Sequence, residues 1–372
     1  MRILQQCIYF APEYGGLESH VHDLTRGLAE RGHEVRVVSS LSVPGSPRRE
    51  RLGEVEVVRT WFPGKHPAGW MLHTLGSVPA YLPLARQADV LHAQTFASAP
   101  PGMLAKRLYG KPLVVSFHTS HFQRLSRKPL WRPGLRRIVA SADWIITASR
   151  QLLDIVLELH PHPRAESITN AVDTAVFRPT EPALEARPGR RRVLVPARLH
   201  EPKGVRHLIE AIPLMREEME LDVVIVGEGP LRTELEGLAR RLRVDDVVRF
   251  LGARPHAEMP GVYSSAEVIC LPSLMEATSI AALEAMACER PVAASAVGGL
   301  LELVDEEVGA HFRPADPADL ATRLLALLRR PDLAEMGARA RRRVEERWSL
   351  GRLVSRHEEI YDELLRTRGG RP

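Results

Sequence analysis

Cysteine is scarce in this 372-residue chain: only Cys7, Cys270 and Cys288 occur, and no two stand at CxxC or other metal-ligand spacing. That excludes a disulfide-stapled scaffold and a cysteine-built zinc site, and free structural thiols in a reducing cytosol are the economical reading. Long apolar runs are missing as well. No stretch approaches the roughly 18–20 residues that a bilayer-spanning helix needs. The opening MRILQQCIYFAPEYGG reads as a buried first strand and a turn rather than as a secretory leader. Short-period repeats and low-complexity tracts are also absent. What is present is ordinary globular material, 44% hydrophobic and 26% charged, in a chain long enough for two domains rather than one core.

Charge is unevenly placed. Residues 1–180 hold 22 Lys or Arg against 14 Asp or Glu, whereas the remainder holds 29 against 32. A basic first half points to an anionic surface or acceptor there, and an Arg-heavy composition drawn from a GC-rich genome is the plainer alternative.

Periodicity organises the chain. Residues 2–10 read as a strand; Leu17, Val21, Leu24 and Leu28 form a helical stripe; Gly32 is placed as a helix stop before the strand EVRVVSS at 34–40. This βαβ unit predicts a parallel, doubly wound sheet, continued by VEVVRT, DVLHAQ, PLVVSFH and WIITAS. The run PTEPALEARPGRRR near 179–192 has no sheet period and reads as a linker. After it the alternation restarts with VLVPARL, LDVVIVGEG, VVRFLG, EVICLPS and PVAAS, interleaved with helices, and a last amphipathic helix begins near Leu350. The expected architecture is two Rossmann-like β/α/β domains facing across a deep cleft. The domains are 1–179, to which 352–372 returns, and 180–351. Ligands of such sheets lie beyond the carboxyl ends of the strands.

Four segments gather there. In PSLMEATSIAALEAMA (272–287), Thr278 or Ser279 suits a helix N-cap, and the N–H groups of 279–282, including Ile280 and Ala281, form an anion site beside small side chains. Glu276 precedes this helix and Glu284 lies inside it, positions that suit sugar and ribose hydroxyls; a plain helix with Glu284 solvated is the alternative. In PARLHEPKG (196–204), Arg198 and Lys203 suit a leaving diphosphate, with surface solvation as the alternative. Gly15, Gly16 and Glu228 also follow strands. His118 ends one, where a buried core histidine is the alternative; His92 and His121 carry less weight. The segment FQRLSRKPLWRPGLRR (122–137) has six cations, among them Arg124, Lys128, Arg132 and Arg136, and no acid. Trp131 and other apolar residues are interleaved. It reads as an interfacial, anionic-lipid or acceptor segment, or else as a solvated basic loop. No nucleic-acid-binding motif accompanies it.

The pieces FAPEYGGLESHVHDLTRGLAERGHEVRVV, ITNAVDTAVFRP, PARLHEPKG, VVIVGEGPLRTELEGLA, RFLGARP and PSLMEATSIAALEAMACERPVAASAVGGLLELV, in this order, resemble the retaining glycosyltransferases of family 4, which have the GT-B fold. The resemblance covers nearly the whole chain. It implies that Glu276 lies near the donor sugar, Glu284 at the ribose, and Arg198 and Lys203 at the diphosphate. It further implies that Gly15–Gly16 approach the donor, that His118 lies near the reacting centre, and that no metal or other cofactor is required. A cytoplasmic enzyme, peripheral on the inner face of the membrane, would transfer sugar from a nucleotide sugar to a glycan or lipid-linked acceptor. A nucleotide-sugar epimerase of the same two-domain plan and a non-catalytic sugar-nucleotide-binding subunit are the other readings. Three positions depart from the family pattern: Glu289, Ala171 and Ala197 stand where glycine is usual.

Overall fold

The computed structural model describes residues 1–13, 15–118 and 120–369. The chain forms two compact units, one of Met1–Asn170 with the segment from Leu350 onward, the other of Ala171–Ser349. The division falls at 170/171 rather than after 179, because Val172 and Phe177 bury in the core of the second unit. Likewise the returning segment starts at Leu350, with the helix Leu350–Gly369 packing on the helix Gly16–Glu30. Val354 rests on Gly27, where a methyl group would stand 2.6 Å from it.

In the first unit the strands are β1 (Arg2–Gln6), β2 (Glu34–Ser40), β3 (Arg49–Leu52), β4 (Val55–Thr60), β5 (Val90–Ala93), β6 (Leu113–Phe117), β7 (Trp144–Thr147) and β8 (Ala165–Ser167). They lie in the order β3-β4-β2-β1-β5-β6-β7-β8, all pairings parallel except β3 with β4. β2 and β4 coincide with their sequence spans. The pair β3 and β8 escaped the sequence reading because both are short and half-exposed, without a buried alternation. The helix Pro67–Gln87 escaped it too, since Pro79 and Pro83 stand inside and no amphipathic period marks it.

The second unit holds β9 (Arg191–Pro196), β10 (Leu221–Val226), β11 (Val248–Gly252), β12 (Val268–Leu271), β13 (Val292–Ser295) and β14 (Gly309–Phe312). Their order is β11-β10-β9-β12-β13-β14, parallel throughout. Alternate residues serve opposite faces: Val193, Val195, Val223 and Ile225 join one core, Leu194, Val224, Val226 and Ile269 the other. A parallel sheet covered on both faces therefore reads as nearly unbroken apolar runs.

The helix Ile280–Ala287 ends in a Schellman turn: Arg290 N–H donates to Ala285 O at 2.9 Å, and Glu289 N–H to Met286 O at 3.0 Å. Glu289 has φ 58°, a left-handed residue with a side chain where the turn favours glycine. Glu289→Gly is expected to stabilise this unit by about 1 kcal/mol, the roughly 1–2 kcal/mol relief of the left-handed penalty less the entropy cost of glycine. A thermal midpoint raised by about 2–4 °C checks it.

Candidate active site

In each sheet the chain reverses its direction of winding beside the first strand, between β9 and β12 in the second unit and between β1 and β5 in the first. At such a switch point the loops after the two strands diverge and leave a crevice. Gly15 follows β1, and Arg198, Lys203, Glu276, Thr278 and Ser279 follow β9 or β12, whereas His118 and Glu228 follow β6 and β10.

In the second unit, the loop after β9 carries Arg198 and Lys203, and the loop after β12 carries Glu276. Main-chain bonds tie the loops together: Leu274 N–H donates to Pro202 O at 2.8 Å, and Met275 N–H to the same oxygen at 3.4 Å. Gly204 permits this approach. It has φ 60°, and a Cβ there would stand 2.0 Å from Pro272 O. Gly204→Ala is accordingly expected to destabilise the unit by at least about 1–2 kcal/mol from backbone strain alone, which a lowered thermal midpoint checks.

The result is one charged cluster. Lys203 Nζ donates to Glu276 Oε2 at 2.5 Å, and Ser273 Oγ donates to the same oxygen at 3.2 Å. The Glu276 side chain is 13% exposed. Arg198 is exposed, and among the described residues its guanidinium has no partner. The loop after β13 supports Glu276 from behind: Gly299 N–H donates to Glu276 O at 3.2 Å, and a Cβ on Gly299 would meet Ala277 O at 2.5 Å. Gly298–Gly299 was not among the sequence candidates, although the glycine pair closing AASAVGG at 293–299, just beyond a strand, was visible.

Ser279 is the N-cap of the helix Ile280–Ala287, and its Oγ accepts from Ala282 N–H at 3.3 Å. Of the four N–H groups expected to meet an anion, that of Ala282 is thus occupied, while those of Ile280 and Ala281 make no hydrogen bond among the described residues. Thr278 Oγ1, fully enclosed, also has no partner among them. Two main-chain donors at a helix start, one hydroxyl and two cations together favour a bound anion.

Glu284 is 7% exposed, which removes the alternative of a solvated helix face. Tyr263 Oη donates to its Oε2 at 2.7 Å, and His256 Nε2 donates to its Oε1 at 3.0 Å. Phe177 packs edge-on to His256 at 5.0 Å. Burial, then the Glu284 charge, raises the Tyr263 phenol well above its ordinary value, so it stays a donor. The carboxylate keeps acceptor capacity on both oxygens. Neither His256 nor Tyr263 was foreseen. Glu228 is half-exposed; its carboxylate pairs with Arg232 one helical turn on, and its carbonyl accepts from Leu199 N–H at 2.9 Å.

In the first unit, Gly15 caps and Gly16 opens the helix Gly16–Glu30. Gly15 has φ 177°, extended backbone open to any residue; a Cβ there would meet only the flexible Glu18 carboxylate. His118 directly follows β6, is 7% exposed, and its ring lies 4.7 Å from that of His20. Burial pushes the His118 imidazole down to about 4. His20, His92 and His357 are buried too, all lowered chiefly by burial. His92 bonds Ser116 Oγ and Tyr361 Oη, both at 2.7 Å. The expectation of a buried core histidine therefore holds for His92. His20 and His357 were missed because each reads as part of an apolar helical stripe.

The basic segment 122–137 divides its side chains between core and surface. It folds as the helices Ser120–Ser126 and Arg132–Ser141. Phe122 and Leu135 turn into the core, Phe122 against Phe117 and Phe96, and Trp131 is half-buried. Arg132 pairs with Glu158 at 3.0 Å. Arg124, Lys128 and Arg136 stay exposed and make no ion pair among the described residues. Leu130, two residues after Lys128, is 88% exposed, so the surface that remains is cationic with an apolar side chain among the charges.

Comparison with known proteins defines the class. A family model for Glycosyl transferases group 1 matches residues 177–344, and one for Glycosyltransferase Family 4 matches residues 14–176. Glycogen synthase of Mycobacterium tuberculosis is 31% identical over 380 residues, covering 92% of this chain and 89% of that protein. The chain belongs to the family 4 type of glycosyltransferases with the GT-B fold, and it is a glycosyltransferase. Among solved structures, sucrose-phosphate synthase from Thermosynechococcus elongatus superposes with a TM-score of 0.86 at 23% identity, covering 98% of this chain and 99% of that one. Anabaena HepE in complex with UDP-glucose gives 0.76 at 20% identity, covering 98% and 100%.

Proposed function

We propose that this glycosyltransferase moves a sugar from a nucleoside-diphosphate sugar to an acceptor hydroxyl of a glycan or glycolipid, with retention of configuration and without a resident metal. The carrying observation is the convergence of Lys203, Arg198, the Ile280 and Ala281 N–H groups and Glu276 on one switch point. The UDP-glucose complex of Anabaena HepE, which shares the fold, supports a nucleotide-sugar donor.

In this reading the diphosphate lies against the start of the helix Ile280–Ala287, with Arg198 and Lys203 neutralising the charge that grows as the C1–O bond breaks. Glu276 accepts hydrogen bonds from the sugar hydroxyls and orients the ring. Glu284, its carboxylate already aimed by Tyr263 and His256, takes the ribose hydroxyls. The acceptor oxygen bonds to C1 on the face that the phosphate leaves, and its proton passes to the departing phosphate oxygen. The products are the glycoside and a nucleoside diphosphate. In the same reading Gly15 and Gly16 serve the donor, and His118 serves the reacting centre.

The test is incubation with a panel of UDP-, GDP- and ADP-sugars, each with and without sugar and lipid-linked acceptors, followed by NMR of the new anomeric centre. Retained configuration, undiminished by a chelator, is expected. Inversion, or a chelator-dependent rate, would overturn the mechanism. Conversion of the donor sugar with no acceptor present would favour an epimerase. Arg198→Ala and Lys203→Ala are expected to raise the donor KM and lower kcat together.

A further inference from the structure

The helix Pro67–Gln87 turns polar side chains inward ahead of its buried Tyr81 and Ala85: Thr74 donates to Ala97 O at 2.7 Å, Ser77 Oγ accepts from Gln6 Nε2 at 2.8 Å, and His73 meets Trp61 O at 3.2 Å. All three side chains are buried. Its outward face carries Met71, Leu72 and Leu75, which are 57%, 47% and 66% exposed, continued by Pro79 and Pro83. Trp61, just ahead of the helix, is 62% exposed. Between Lys65 and Arg86 the chain has no Asp, Glu, Lys or Arg. Single exposed apolar residues are ordinary, but a charge-free stripe on successive turns of one helix marks a contact surface.

Two neighbouring features identify what covers it. Trp70, on the first turn of the helix, packs edge-on to His121 of the helix Ser120–Ser126 at 5.3 Å. The basic segment therefore begins beside the apolar face. Its exposed cations Arg124, Arg127, Lys128, Arg136 and Arg137 make no ion pair among the described residues. A second copy of the chain would bring like charge toward like charge. An anionic lipid surface complements both parts, since acyl chains accept the apolar stripe and headgroup phosphates accept the cations. Among the described residues no helix is long and apolar enough to cross a membrane, so the contact lies in the interface plane.

We propose that the outward face of the helix Pro67–Gln87 seats the first unit on an anionic bilayer, with Met71, Leu72 and Leu75 entering the acyl boundary and the adjacent cations meeting the headgroups. This differs from an insertion of 122–137 itself, where Phe122 and Leu135 are spent in the core and, of the large apolar side chains, Leu130 alone is fully exposed. The claim is independent of the donor site.

The full chain is mixed with vesicles of phosphatidylglycerol and phosphatidylcholine, and binding is followed by co-sedimentation and by the emission of Trp61. Binding that rises with the phosphatidylglycerol fraction and a blue-shifted emission are expected. The shift should vanish in Trp61→Phe. Leu72→Ser with Leu75→Ser should weaken binding at least tenfold at every salt concentration without lowering the thermal midpoint. Arg124→Glu with Lys128→Glu should weaken it mainly at low salt, where charge is least screened. No binding to anionic vesicles at low salt, or binding untouched by the Leu72 and Leu75 changes, overturns the proposal. A dimer in solution that the leucine variant abolishes would assign the face to a second copy instead.

Discussion

Glu276→Ala is expected to lower kcat/KM for sugar transfer about 10²- to 10³-fold, the size of effect seen when one oriented electrostatic partner of a reacting centre is removed. The geometry adds a discriminating companion result. Glu276 holds Lys203 at 2.5 Å, so removing the carboxylate frees the ammonium for phosphate. Binding of the nucleoside diphosphate alone should therefore stay as tight or become tighter, while turnover collapses. A variant that had merely lost its fold would lose both. Glu276→Gln, which keeps hydrogen-bonding capacity, is expected to fall between alanine and the native residue. Calorimetric titration with the nucleoside diphosphate, set beside initial rates, separates these outcomes. Native turnover in Glu276→Ala would remove the assignment.

Acid should unfold the first unit. His20, His92, His118 and His357 are buried with pKa values lowered chiefly by burial, His118 and His357 to about 4. A neutral buried imidazole binds its proton less readily than the same side chain in the unfolded chain, where the ordinary value is near 6.5. The unfolded state thus gains protons first as pH falls. The stabilisation is complete above about pH 6.5 and is lost progressively toward pH 4, at on the order of 1.4 kcal/mol per histidine per pH unit. Four histidines acting together would exhaust a stability of about 5–15 kcal/mol within a few pH units. Trp61, Trp70, Trp131 and Trp144 lie in this unit and only Trp348 in the other, so tryptophan emission follows it closely. A cooperative red shift between pH 6 and 4 is expected. His92→Gln, able to keep bonds to Ser116 and Tyr361, should move the transition to lower pH. An emission and melting temperature constant from pH 7 to 4.5 would exclude this account.

Much of the fold was legible in the chain. Buried parallel strands advertise themselves as apolar runs, and β2, β4 and the helix ahead of β2 stand where the alternation placed them. The left-handed Glu289 was foreseen as the weak point of its helix and has φ 58°. The loops that carry Arg198, Lys203, Glu276 and Ser279 were legible as well, because these residues lie in compact motifs directly after strands. What was illegible depended on partners remote in sequence. Glu284 is a buried, oriented acceptor only because Tyr263 and His256 arrive from 21 and 28 residues away. Lys203 and Glu276 pair across 73 residues because Gly204 and Gly299 let three loops crowd together. His20 and His357 meet the buried histidines from opposite ends of the chain.

Sequence by itself determined the family, the two parallel sheets and the loops that carry charge, since each follows from local pattern and strand-to-loop order. Tertiary structure alone decided which way each side chain faces. It turned Phe122 and Leu135 inward and left the cations of 122–137 at the surface with Leu130. It also buried Thr74 and Ser77 while exposing Leu72 and Leu75 on one helix. The physical reason is that burial is a property of neighbours. A helix period states that two faces differ, and only the packed sheet behind it decides which face meets water.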